Sequence, residues 1–256
     1  MKLLIKNFFK KTIIYRIRNK INIKPIKLNL NNLTENYSIS DAFLWRTDST
    51  YKTIFKFSDL LNFFYEDLLS SVDLKFYDQN YNKIKELENM NILKMNQLLI
   101  DKNFLNGFEG YGTFYIFHKS NKQKTISIRN SCYTGFSYKN NLFSYVHGNL
   151  PSSCSKLNHS NNDNFNNIIV NSFFKNQIYI IQNEFSEYDK IEVFINNSSN
   201  DKLYFELNNQ NYKLNKGCSK ILELKEIEKI KIISNSYLLR PIIFNYKKNT
   251  IDVHHG

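Results

Sequence analysis

Apolar and polar positions alternate along most of the chain. In VDLKFYD, Val72, Leu74 and Phe76 fall on one side and Asp73, Lys75 and Tyr77 on the other, the period of a half-buried strand. YSISDAFLWRTDSTYKTIFKF (37–57) reads as two strands joined by the polar turn 47–50. GTFYIFH (112–118), 126–128 and LFSYVHG (142–148) supply further short strands. SDLLNFFYEDLL departs from this period: Ser58 can cap a short helix that carries Leu60, Phe64 and Leu68 at helical spacing.

After residue 167 strand follows strand: IIVNSFF, QIYIIQN, KIEVFIN, KLYFEL, KILEL, KIKIIS and RPIIFNY, separated by NNSSND, NNQ and NKG turns. Between the halves, residues 151–167 are rich in Ser and Asn without an apolar period, which predicts a linker. Four segments recur in the same order. VDLKFYDQN matches IEVFINNSS, NILKMNQLL matches KILELKEI, GTFYIFHKSN matches RPIIFNYKKN, and YVHG matches DVHHG. The expected fold class is therefore all-β: two tandem related β-sandwich domains, 35–150 and 168–256, behind a basic N-terminal segment, 1–34, that can be helical.

Charge sharpens that division. The chain of 256 residues carries a formal +12, but residues 1–34 hold Lys2, Lys6, Lys10, Lys11, Arg16, Arg18, Lys20, Lys24 and Lys27 with no acid. The remainder has 26 basic against 23 acidic residues and is almost balanced, so nucleic-acid binding is not expected of it. Lysines beside aromatics make the leader a candidate for peripheral contact with an anionic membrane, against a plain solvated reading; its apolar residues scatter round a helical wheel. Lysines also interrupt every apolar run there, unlike a signal peptide, and Cys132, Cys154 and Cys218 show no CxxC spacing. A reducing, cytoplasmic setting is expected, peripheral to the inner membrane if the leader anchors.

SISDAFLWRTDSTYKTIF, GTFYIFH, SYVHGN and the terminal RPIIF and IDVHHG resemble a group of bacterial proteins that share a SISDxFxWR opening and a DVxHG end. That likeness covers almost everything after residue 35 and implies no established activity. His254 stands where that pattern usually has an aromatic. The strand layout is also distantly similar to the β-sandwich modules of the sensory rhodopsin transducer type, which implies association or ligand binding.

The candidate chemistry is sparse. Phosphate-binding glycine loops, GxSxG and HExxH are missing. Trp45 is expected in the core, and Arg46 with Asp48 forms an ion pair or offers its planar fork to a carboxylate, phosphate or sugar. Tyr133, Phe136, Tyr138, Phe143 and Tyr145, beside Asn140, Asn141 and Asn149, suit the flat face of a sugar or a protein interface, or else two core strands. Arg46, Asp48, Tyr133, Tyr145, His147, Asn149 and Arg240 are the expected ligand-binding residues. His118, His147 and His255, with Asp41 or Asp252, form a candidate divalent-metal site; the plainer account is that a His-Gly pair ends a strand, the ring bonding a carbonyl and glycine supplying a positive-φ turn. Cys132 is a candidate nucleophile with His118 or His147 as base, or simply packs. The reading reached from sequence is a non-enzymatic recognition or assembly protein, without a cofactor, that binds a glycan or protein partner. A histidine-centred metal enzyme is the alternative.

Overall fold

The computed structural model describes residues 17, 37–120, 127–129, 132–148, 151–156, 166–182, 188–224 and 229–256. The basic leader, apart from Ile17, and Asn149 lie outside the described residues. As the alternation requires, the protein is nearly all-β: the described residues form four purely antiparallel sheets and one mixed sheet, each of four strands.

Sheet A contains, in spatial order, β12 (Asn166–Asn167), β11 (Pro151–Lys156), β1 (Tyr37–Asp41) and β8 (Ser127–Arg129). Sheet B contains β2 (Phe43–Arg46), β7 (Tyr111–Lys119), β4 (Ser71–Asp78) and β5 (Lys83–Asn91). Sheet C is β10 (Ser144–His147), β9 (Tyr133–Tyr138), β3 (Tyr51–Ser58) and β6 (Met95–Ile100). Sheet D is β13 (Gln177–Gln182), β18 (Lys229–Ser234), β15 (Leu203–Leu207) and β16 (Gln210–Leu214). Sheet E is β17 (Ser219–Leu224), β14 (Lys190–Asn196), β19 (Ile242–Lys247) and β20 (Thr250–His255).

Sheets B and C enclose one core, in which Phe43, Phe55, Phe76 and Phe114 meet as tilted, stacked and edge-on rings and Trp45 packs edge-on against Phe108. Each such side chain stabilises the fold by about 1.5–3 kcal/mol on burial. Sheets D and E enclose a second, aliphatic core around Val193, Ile195, Leu203, Ile230, Ile232 and Ile243. A third core joins the halves: Leu44, Tyr51, Phe136 and Val146 pack against Phe194, Ile242, Phe244 and Val253 of sheet E. Sheet A adds a layer beyond sheet B. There the Ser40 and Ser38 hydroxyls accept the Ile116 and His118 N–H groups past the end of β2, a side-chain substitute for a missing neighbouring strand.

Three sequence expectations change. Pro151–Lys156, inside the expected linker, is a strand paired along β1, because backbone hydrogen bonds need no apolar period. The helix, α1 (Leu60–Tyr65), is capped by Asp59 rather than Ser58, and it buries Leu61 while Phe64 and Leu68 are exposed. The expected strand at 168–174 contributes only isolated bridges at Ile169 and Asn171. No helix among the described residues is long and apolar enough to cross a membrane.

The repeat appears in part. β4 and β7 are the paired central strands of sheet B, and their sequence counterparts β14 and β19 are the paired central strands of sheet E. The registers differ by one residue from the sequence match. Val72 faces His118 and Ile191 faces Asn245, so His118 and Asn245, both buried polar residues, are the true counterparts. The final match does not hold in space: β10, which carries YVHG, belongs to sheet C, whereas β20 flanks β19 in sheet E.

Candidate functional site: the outward face of sheet C

Alternation in YTGFSY splits the aromatic cluster. Thr134, Phe136 and Tyr138 turn inward, with Phe136 fully buried against Phe244, while Tyr133, Gly135 and Ser137 turn outward. The same holds in SYVH, where Val146 is buried and Tyr145 and His147 are exposed. Register then assembles the outward residues: Tyr145 lies opposite Gly135, His147 opposite Tyr133, and Tyr133 opposite Lys56 of β3.

The absence of a side chain at Gly135 lets the Tyr145 ring lie down on the sheet. A Cβ there would stand 2.5 Å from the ring, so the aromatic covers a bare stretch of backbone. The Lys56 ammonium sits 4.6 Å from the Tyr145 ring centroid, within reach of cation–π attraction. Tyr133 and His147 are adjacent rings, 4.6 Å between centroids. Gln97 and Leu99 of β6 continue the face as exposed neighbours of Lys56 and Ile54. The result is a shallow, ring-paved surface with a cation, an amide and an imidazole at its margins.

The second half pins this face. His255 Nε2 donates to the His147 carbonyl at 2.7 Å, and the Val253 N–H donates to Ser144 Oγ at 2.9 Å. Burial and the positive charge of Arg240 lower the His255 pKa to about 4, so the ring is neutral near pH 7 and its Nε2 proton is held for the carbonyl. The expected histidine bond to a carbonyl therefore exists, between halves of the chain. The accompanying glycine turn does not: Gly148 has no positive φ, and its missing side chain makes room for Phe43, whose ring would lie 2.4 Å from a Cβ.

Other expected residues lie elsewhere. His118 is buried opposite Val72 in sheet B, and burial lowers its pKa to about 4. It is apart from the His147–His255 contact. Asp252 is near His254 Nδ1 at 3.5 Å, while the Asp41 carboxylate lies beside Gly148. Among the described residues no group of three or more His, Cys, Asp or Glu side chains is placed to hold a metal ion. Cys132 is buried and packs in the core of sheets B and C. Arg240 lines a small, open depression with Asn171, Asn197, Ser198, Ser199 and Ser236. That wall is stiffened by Asn197, whose amide donates to backbone carbonyls of Asp201 and Asn215 and accepts from Ser199.

Arg46 is 3% exposed and turned into the protein. Its fork grips Asp48 through Nε and Nη2, and Nη1 reaches Glu192 at 2.6 Å and the Tyr246 hydroxyl at 3.2 Å. Tyr51 Oη donates to Tyr246 Oη, which donates to Glu192. Burial opposes the Arg46 charge, but Asp48 and its neighbours more than offset this and raise its pKa. Likewise burial opposes ionisation of Glu192 while Arg46 and Lys190 hold its pKa below the ordinary carboxylate value.

Sequence reasoning missed Lys56, Gly135 and Glu192. Two of these left a signal: Lys52 and Lys56 alternate outward on one strand, and a glycine inside a strand pattern indicates a close approach. Glu192 is paired in the VDL–IEV match, but nothing local showed that Arg46 would meet it.

No protein-family model matches the chain, and no curated protein matches it.

Proposed function

We propose that the protein is a non-enzymatic recognition protein, built from two related β-sandwich units, that binds a glycan through the outward face of sheet C. The observation that carries this reading is the exposed Tyr145 ring packed against Gly135 beside the Tyr133–His147 ring pair. Flat exposed rings present π surface to the axial C–H groups of a pyranose, and Lys56, Gln97 and His147 supply hydrogen-bonding groups at the edge. Their positions on strands of a packed sheet mean that little ordering is needed on binding. The matched central pairs β4–β7 and β14–β19, each in a four-stranded sheet against a second sheet, support the relatedness of the two units.

An array of neutral and acidic glycans probed with wild type, Tyr145→Ala and Tyr133→Ala tests the reading. Binding of at least one glycan class is expected, weakened about tenfold by either substitution. Retention of the same glycan by both variants, or no binding at millimolar sugar, rejects it. Leu99 and Met95, exposed on the adjoining strand, support a protein partner as the second reading.

A further inference from the structure

The outward face of sheet D is apolar along a stripe and cationic around it. On β13, Tyr179 and Ile181 pack into the core while Ile178 and Ile180 point out, 63% and 57% exposed. Ile178 pairs with Ile233 and Ile180 with Lys231 on β18. Tyr204 of β15, 50% exposed, continues the stripe, and the turn at one end of the sheet adds Phe173 and Phe174, 65% and 81% exposed. That turn is not loose. The Ser172 N–H donates to the Asn235 carbonyl, and the Phe174 and Lys175 N–H groups both donate to Ser172 Oγ, so the two phenylalanines are held outward at a fixed place.

Lysines frame the stripe. Lys229 and Lys231 are exposed on β18, and Lys213 on β16 reaches over the Tyr204 ring at 5.9 Å. Lys175 follows the phenylalanine turn. Glu206 is the one acid that strand alternation sends to this face among the described residues of the sheet. Protein interfaces deplete lysine at their centres, and a nucleic acid stacked on Phe173, Phe174 and Tyr204 would leave Ile178 and Ile180 along the stripe without a partner. A bilayer surface accepts both components: phenylalanine and isoleucine enter the acyl boundary, while long lysine side chains reach the lipid phosphates.

We propose that this face of sheet D docks on an anionic lipid surface, with Phe173 and Phe174 entering the bilayer and Lys175, Lys213, Lys229 and Lys231 pairing with headgroup phosphates. The surface belongs to the folded body. It is separate from the basic leader and from the aromatic face of sheet C, and it does not rest on the glycan reading.

Flotation of the full chain with phosphatidylglycerol–phosphatidylcholine vesicles, against phosphatidylcholine alone, reads the proposal directly. Phe174→Trp serves as a reporter, because Trp45 is fully buried and its emission is a constant background. The reporter is expected to shift to the blue with the anionic vesicles only. Lys229→Glu/Lys231→Glu and Phe173→Ser/Phe174→Ser should each weaken partition by about tenfold or more. These side chains are exposed, so the thermal transition of each variant should match wild type. An unshifted reporter in a chain that still floats assigns attachment to the leader and overturns the proposal. Equal partition to both vesicle types, unchanged partition of the charge-reversed variant, or retention by DNA in place of vesicles also overturns it.

Discussion

Glu192 Oε2 lies 2.6 Å from Arg46 Nη1, so a carboxylate of the second half of the chain neutralises a guanidinium of the first inside their shared core. Arg46 also lies 4.0 Å from the Tyr51 ring centroid and 4.8 Å from that of Phe244, packing its flat faces as well as its edges. The contact makes the two halves electrostatically dependent on one another.

Arg46→Met should lower unfolding free energy by about 3 kcal/mol, because it removes the buried guanidinium and leaves the Glu192 carboxylate only Lys190 and the Tyr246 hydroxyl. Arg46→Met/Glu192→Leu should recover most of that loss in urea titrations. A single-variant loss under about 1 kcal/mol would mean that the pair behaves as an exposed one.

Gly112→Ala should be among the most damaging small substitutions. A Cβ there would lie 2.0 Å from the Tyr77 carbonyl oxygen, which also accepts the Trp45 indole N–H at 3.0 Å. Backbone must move to relieve the clash, so a loss of about 3 kcal/mol is expected. A melting temperature equal to wild type would contradict the close approach.

Gly135→Ala separates fold from face. The clash here is with the exposed Tyr145 ring, which can swing away, so stability should change by less than about 1 kcal/mol. Glycan binding should nevertheless fall, because the ring loses its seat. Unchanged binding with Tyr145 displaced, read from its NMR shifts, counts against the site.

Stability should decline as pH falls from about 6.5 towards 4, the interval set by the ordinary histidine value and the lowered value of His118. Between these limits the unfolded chain binds a proton that the folded chain refuses, so unfolding is favoured as the medium becomes more acid; the contribution is on the order of 3 kcal/mol. Asn245 occupies the corresponding register position in sheet E, and His118→Asn should therefore fold and flatten this part of the profile. Denaturant titrations at pH 7 and pH 5 measure the difference, and identical slopes for wild type and variant would refute the assignment.

The alternation that marked β4 as a strand was local and survived folding, but its half-buried reading did not: in β4, β7 and β14 nearly every residue is buried, because both faces of these central strands are covered. It also sorted Phe136 from Tyr133 once the strand boundaries were known. Helical spacing misled at Leu60, Phe64 and Leu68: the segment ends after one short helix at Glu66, whose backbone is left-handed, so Leu68 never joins the stripe. The linker expectation failed at Pro151–Lys156 because pairing with β1 is a backbone matter on which side-chain polarity is silent.

What the amino-acid sequence determined by itself was the all-β character, the uneven charge and the two-faced strands, since these depend on neighbours one or two residues away. Only the tertiary structure decided that Glu192 meets Arg46 across 146 positions, that His255 bonds the His147 carbonyl, and that Tyr145 rests on Gly135. Those relations follow from which strands become neighbours and which polar groups lose water together. The free energy that selects them is summed over whole sheets and is written in no short stretch of the chain.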